Sequence, residues 1–145
     1  MDAREFVRWH VRQSSEEKPE LLKEFLRFDH CYMNLPVDAV EFCDVFIGLF
    51  KDANPEVWWR DQNDSSSIML PLVHVYGFTF EKDRENALKF FVDRIGKAME
   101  YPSFSDKDVL EFHNIRDVSS TSHMYSTSFR LPYDVAMGEY QSVKK

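Results

Sequence analysis

The amino-acid sequence predicts an α/β fold with a mostly parallel sheet that ends in an antiparallel hairpin. Apolar, β-prone runs alternate with stretches of helical periodicity, which is the pattern of strands joined by helical crossovers. The last two strand candidates are separated by only a few small polar residues, and so short a connection forces antiparallel pairing. A chain of 145 residues, 43% hydrophobic and 30% charged, is enough for one globular domain with a real core.

Residues 2–13, DAREFVRWHVRQ, place Phe6, Val7, His10 and Val11 on one helical face and Arg4, Arg8 and Arg12 on another. An amphipathic helix starting near Asp2 or Ala3 is expected. SSEEKPELLKEFLRF (14–28) follows, with Pro19 suited to a first helical turn and Leu21, Leu22, Phe25 and Leu26 as an apolar stripe. HCYMNLP (30–36) reads as a short buried strand stopped by Pro36. Asp38 is a candidate N-cap or first-turn acid for a helix over AVEFCDVFIGLF (39–50). This helix is apolar around most of its circumference and should pack on a sheet.

Residues 51–67 are polar and turn-rich and predict a loop, in which Trp58 and Trp59 either tuck back onto the domain or form a binding platform. IMLPLVHVYGFTF (68–80) has the near-continuous apolar character of a central strand buried on both faces. DRENALKFFVDRIGKAM (83–99) carries Leu88, Phe91, Val92, Ile95 and Met99 at helical spacing. YPSFSDKD forms a loop, and VLEFHNIRDVS and HMYSTSFRLPYDV supply the hairpin.

Several function classes are excluded by composition. Only four glycines are present, and neither a G-x-G-x-x-G nor a G-x-x-x-x-G-K-[ST] pattern occurs. No apolar stretch approaches the roughly 20 residues of a membrane helix. Acidic residues near the N-terminus do not suit a secretory signal. Cys31 and Cys43 lack C-x-x-C spacing and fit buried free thiols, and the five histidines form no metal-ligand pattern. With a net charge of −7 and no basic run beyond Lys144-Lys145, most phosphate contacts in any RNA complex are expected to come from outside this chain.

The first strand raises a topological problem. Its apolar run suits the middle of a sheet, yet nothing before it supplies enough strands to cover its outer edge, an arrangement proteins normally avoid. The chain is therefore expected to be the C-terminal part of a larger α/β domain, or to have that edge covered by a partner chain.

MDAREFVR (1–8), FDHCYMNLPVDAVEF (28–42), LPLVHVYGF (70–78) and IRDVSSTSHMYSTSFRLP (115–132) together resemble the C-terminal half of the archaeal and eukaryotic type of tRNA (guanine-37 N1) methyltransferase. MNLP after a strand is the most specific piece. The resemblance implies a Rossmann-like, S-adenosylmethionine-dependent fold whose last two strands form an antiparallel hairpin. It makes residues 1–145 a partial methyltransferase domain, without the donor glycine loop or the N-terminal RNA-binding region.

The same resemblance implies roles for individual residues. Asp2 and Ala3 would meet the adenine of S-adenosyl-L-methionine, the carboxylate accepting from the exocyclic amine and the backbone N–H serving a ring nitrogen; Asp2 is equally suited to a helix N-cap. Asn34, whose amide offers an acceptor and two donor hydrogens, would read the guanine edge and border the donor, with Pro36 walling the pocket of a splayed-out base. Without the flanking matches, Asn34-Leu35-Pro36 is an ordinary strand-ending turn. Arg116 would help hold tRNA, or is a plain surface arginine. The family's general base and its companion arginine fall upstream of this chain. Where family members carry a segment like Ala-Pro-Asn-Lys, this chain has Ser119-Ser120-Thr121-Ser122, so a basic residue is lost.

The resemblance implies a monomeric full enzyme acting on tRNA in the cytoplasm and nucleus or in the mitochondrial matrix, away from membranes. Two alternatives stay open. One is a non-catalytic partner or scaffold module, favoured by the acidic charge and the substituted lysine. The other is the related wybutosine-pathway transferase, against which MNLP speaks.

Overall fold

A computed structural model describes residues 3–11, 27–34, 39–53, 55–61 and 63–138. Among the described residues the α-helices are α1 (Ala3–Val11), α2 (Pro55–Trp58), α3 (Arg84–Ala98) and α4 (Tyr133–Met137), and the strands are β1 (His30–Met33), β2 (Leu72–Thr79), β3 (Val109–Asp117) and β4 (His123–Arg130). The sheet order is β1-β2-β4-β3. β1 runs parallel to β2, whereas β4 is antiparallel to both β2 and β3. The expected α/β class and its terminal antiparallel hairpin are thus present, but the described sheet is mixed rather than mostly parallel, with one parallel and two antiparallel pairings, because the hairpin's second strand inserts beside β2.

α3 lies over one face of this sheet. Asp83 caps it by accepting from the Glu85 backbone N–H, and Ala87, Phe91, Val92 and Ile95 are buried along one side. The helix approaches β2 at Gly77, where an added Cβ would stand 2.7 Å from the Phe91 ring. Phe91, Phe112 and Tyr125 form an aromatic cluster in that contact, with Phe112 and Tyr125 stacked at 4.7 Å. Phe104, just beyond the helix, meets Phe129 edge-on at 5.0 Å. Among the described residues, Phe46, Phe50, Phe91, Phe104, Phe112 and Phe129 are buried core rings, whereas Phe6 and Phe80 are exposed.

Several local expectations need correction. Residues 39–50 do not form an α-helix: Glu41–Phe46 is a 3-10 helix whose N-cap, Val40, makes no side-chain capping bond. Gly48, at φ 67°, turns the chain out of the helix, and the backbone N–H groups of Gly48 and Phe50 donate to Val135 and Ala136 of α4. Tertiary hydrogen bonds thus replace the helical ladder that periodicity alone suggests. Asp38, the expected cap, lies outside the described residues, as does the segment expected to be helical over 14–28 except for Arg27 and Phe28, which are not helical.

The 51–67 loop is ordered from within. α2 buries Trp58 completely against Phe28 and Phe50, Trp59 bridges Ile68, and Asp64 caps the short 3-10 turn at Ser65–Ser67. Trp58 is a core residue, which settles the tucked alternative for it. β2 begins at Leu72, after Pro71, and its burial alternates with one face fully covered and the other half-exposed. Finally, β4 stops at Arg130 and the chain turns through Pro132 into α4.

β1 is less buried than its apolar composition predicts. Among the described residues it pairs with β2 alone, and Tyr32 is 65% exposed. The uncovered edge deduced from the sequence is therefore present in the described sheet.

Candidate functional site at the carboxyl end of the first strand

In open α/β sheets, ligands bind beyond the carboxyl ends of the parallel strands. A pocket of about 330 Å³ occupies that place beside β1, at the lower end of the range for small-molecule sites. α1 contributes Ala3, Arg4 and Val7 to its wall. Cys31 through Asn34 form a second side, and Phe42, Val45 and Phe46 of the 3-10 helix form a third.

Local chemistry explains the convergence of these segments. Arg4 donates from Nε to Asp44 at 2.7 Å and from Nη2 to its second oxygen at 3.3 Å, a two-pronged pairing that fixes the helix direction. The same guanidinium lies 4.1 Å from the Phe42 ring centroid. Val11 and Cys43 are wholly buried beneath this junction. α1 is thereby tied to the 3-10 helix, and its N-terminus is brought to the end of β1.

Ala3 and Asn34, distant in sequence, share this pocket. Ala3 is the first residue of α1, so its backbone N–H has no acceptor within the helix. Asn34 immediately follows the last strand residue and is exposed. The pocket is thus lined by a helix-start residue and a residue with an amide side chain, together with the apolar and aromatic residues Val7, Met33, Phe42, Val45 and Phe46. Such a site suits a flat, neutral heterocycle with polar edges.

Asp2 and Pro36 lie outside the described residues. Arg116 is exposed on β3, paired in register with Met124, and does not line the pocket. Sequence reasoning did not assign Arg4 and Phe42 to the site. Both occur in stretches singled out above, but a helical face and a strand-following segment carry no mark of the contact between them.

Both cysteines are free, and burial pushes both thiols above their ordinary range, which disfavours the reactive thiolate. The closest histidine pair sits elsewhere on the sheet. His30 Nδ1 and His74 Nε2 are 3.0 Å apart, and His74 Nδ1 is 2.7 Å from the Ser128 hydroxyl. Among the described residues no group of three or more side chains could hold a metal ion, and no helix is long and apolar enough to cross a membrane.

No family model matches the chain. Curated proteins do. The chain is 34% identical over 118 residues to a tRNA (guanine(37)-N(1))-methyltransferase of Paramecium tetraurelia, a match covering 81% of this chain and 25% of that protein. The Aspergillus fumigatus protein of the same name is 31% identical, with 94% of this chain and 35% of the relative covered. That of Coprinopsis cinerea is 38% identical over 114 residues, or 78% of this chain and 23% of the relative. Among solved structures, wild-type Trm5b from Pyrococcus abyssi aligns with a TM-score of 0.45 and 20% identity, across 74% of this chain and 26% of that one. The chain is therefore similar over most of its length to a segment of these methyltransferases, and spans about a quarter to a third of the first two relatives' length.

Proposed function

We propose, from that similarity, that this chain is the C-terminal part of a Rossmann-like tRNA methyltransferase that moves a methyl group from S-adenosyl-L-methionine to N1 of guanosine 37. The observation that carries this proposal is the meeting of Ala3 and Asn34 in one pocket at the carboxyl end of β1. These are two of the residues whose roles the family resemblance assigns to donor binding, and the sequence separates them by a helix and a long connection.

The residues present fit the adenosine end of the donor. The N–H of Ala3, which has no acceptor within its own helix, can donate to a ring nitrogen of adenine, with Asp2 placed by sequence next to it. Val7, Met33 and Phe42 supply apolar walls for the base. S-adenosylmethionine would supply an electrophilic methyl group. Asn34 would hold the guanine edge so that the N1 lone pair lies in line with that methyl, and this positioning is a large share of the catalysis. Deprotonation of N1 calls for a base; no carboxylate or histidine is among the described residues that line the pocket, and the resemblance assigns the base to a preceding carboxylate.

The test is complementation. The portion of the Aspergillus fumigatus relative that precedes the matched region is mixed with this chain, and transfer of labelled methyl to a tRNA carrying G37 is measured. Transfer is expected only with both pieces, and about a hundredfold less with Asn34→Ala, the scale on which mispositioned reactants lose rate. Inactivity of the mixture, while the relative's own two pieces recombine to activity, overturns the proposal. Calorimetry of this chain alone with S-adenosylmethionine should show little binding, because only part of the donor site is present; micromolar binding would contradict the half-pocket assignment.

A further inference from the structure

A larger cleft, about 900 Å³, lies at the opposite end of the sheet from Asn34. Its walls come from the segment leading into β2, the start of β3 and the turn after β4. Among the described residues, Arg27, Arg60, Lys107 and Arg130 line it, against two carboxylates, Asp29 and Asp108. In a chain of net charge −7, this cleft gathers an excess of positive charge. Tyr133, 37% exposed, adds an aromatic ring at the same place.

The cleft is built by the fold. Arg130 Nη1 donates to the Leu70 carbonyl at 2.6 Å, and Arg27 is anchored by Asp29 at 3.4 Å. A guanidinium has five N–H donors, so both retain donors beyond these bonds. Arg60 is carried by the ordered loop: its backbone N–H donates to Ser67, whose hydroxyl bonds back to the carbonyls of Asp61 and Asp64. Lys107 sits in a 3-10 turn closed by a reciprocal capping box between Ser105 and Asp108. Four cations from four separate segments converge on one concavity, held by backbone that is itself pinned.

We propose that this cleft binds the phosphodiester backbone of a single-stranded RNA segment, with a base stacked on Tyr133. Clustered cations lining a groove, with an aromatic ring among them, is the arrangement that recognises such strands. The inference goes beyond the methyl-transfer proposal, since the cleft lies far from the Asn34 pocket along the strands; only the choice of RNA as the polyanion rests on that proposal.

Fluorescence anisotropy with a labelled single-stranded RNA of about 12 nucleotides tests it. Binding is expected at about 50 mM salt and should weaken steeply as salt rises. Arg60→Glu with Lys107→Glu should weaken binding by about tenfold or more and flatten the salt dependence by about 1.4 logarithmic slope units, two phosphate contacts' worth. Lys89→Glu with Lys97→Glu, on the exposed side of α3, should change affinity by less than about twofold. If the charge reversals impair folding, Arg60→Gln with Lys107→Gln repeats the measurement with a smaller perturbation. No RNA binding by the native chain, an equal loss in the α3 pair, or equal competition by polyglutamate overturns the inference. The anisotropy reads the cleft and complementation reads the Asn34 pocket, so either proposal can fail alone.

Discussion

β1 and β4 invert what their compositions suggest. HCYM is the more apolar of the two, yet its burial is partial and Tyr32 stands mostly in solvent. HMYSTSFR carries Ser126, Thr127 and Ser128 in succession, yet every residue from His123 to Phe129 is buried. The difference is position in the sheet. β4 is hydrogen-bonded on both edges, so its backbone polar groups are satisfied and its short side chains are overhung by larger neighbours. β1 has one partner among the described strands, and one ladder leaves the other edge and much of the side-chain surface open. Burial here follows the neighbours more than the hydrophobicity of the strand itself.

Substitutions can break or sharpen that contrast. The largest effect is expected for Phe129→Ala in β4, where a fully buried ring packed on Phe104 is lost. A cost of about 3–5 kcal/mol should appear as a lower urea midpoint, and a change below about 1 kcal/mol would contradict the interior role of the strand. Thr127→Val should go the other way. The Thr127 hydroxyl is buried without a hydrogen-bond partner. Removing it should raise stability by about 1 kcal/mol, and a loss would mean that the hydroxyl is satisfied in solution.

Tyr32→Ala on β1 removes a mostly exposed ring stacked on His74 at 4.5 Å. The loss should stay within about 1 kcal/mol by the same denaturation measurement, and a cost as large as that of Phe129→Ala would erase the contrast.

The smallest effect is pH-dependent and links the two strands through β2. Burial, followed by the neighbouring His30, lowers the His74 pKa, while Glu111 opposes that shift. Its proton is thus held less well in the folded chain than in the unfolded one. The associated stability is present above the unfolded value, about 6.5, and is lost as pH falls through the lower folded value. Replacing His74 with Gln should flatten the decline in melting temperature on acidification below about pH 6.5. An unchanged profile would place the acid sensitivity in other groups.

Much of the architecture was legible in the residues. The helical spacing of 83–99, the short link between the last two strands and the abrupt end of HCYM each found its counterpart in α3, the β3–β4 hairpin and β1. These depend on local periodicity and chain geometry, which one sequence carries in full. The 3-10 segment at Glu41–Phe46 was not legible, because donation from Gly48 and Phe50 to α4 involves residues far along the chain. The site was half legible. MNLP marked Asn34 by resemblance, whereas the Arg4–Asp44 pairing that brings Ala3 beside it exists only once the chain is folded.

The sequence by itself determined the approximate places of the four strands and of the helix over 83–99, that the last two strands pair antiparallel, and that the first strand has an edge to be covered. The tertiary structure alone decided that β4 enters the sheet between β2 and β3, that Ala3 meets Asn34, and that four scattered cations share one cleft. The physical reason is range: periodicity and turn chemistry act over a few residues, whereas burial, pairing order and charge clustering are set by neighbours that only folding supplies.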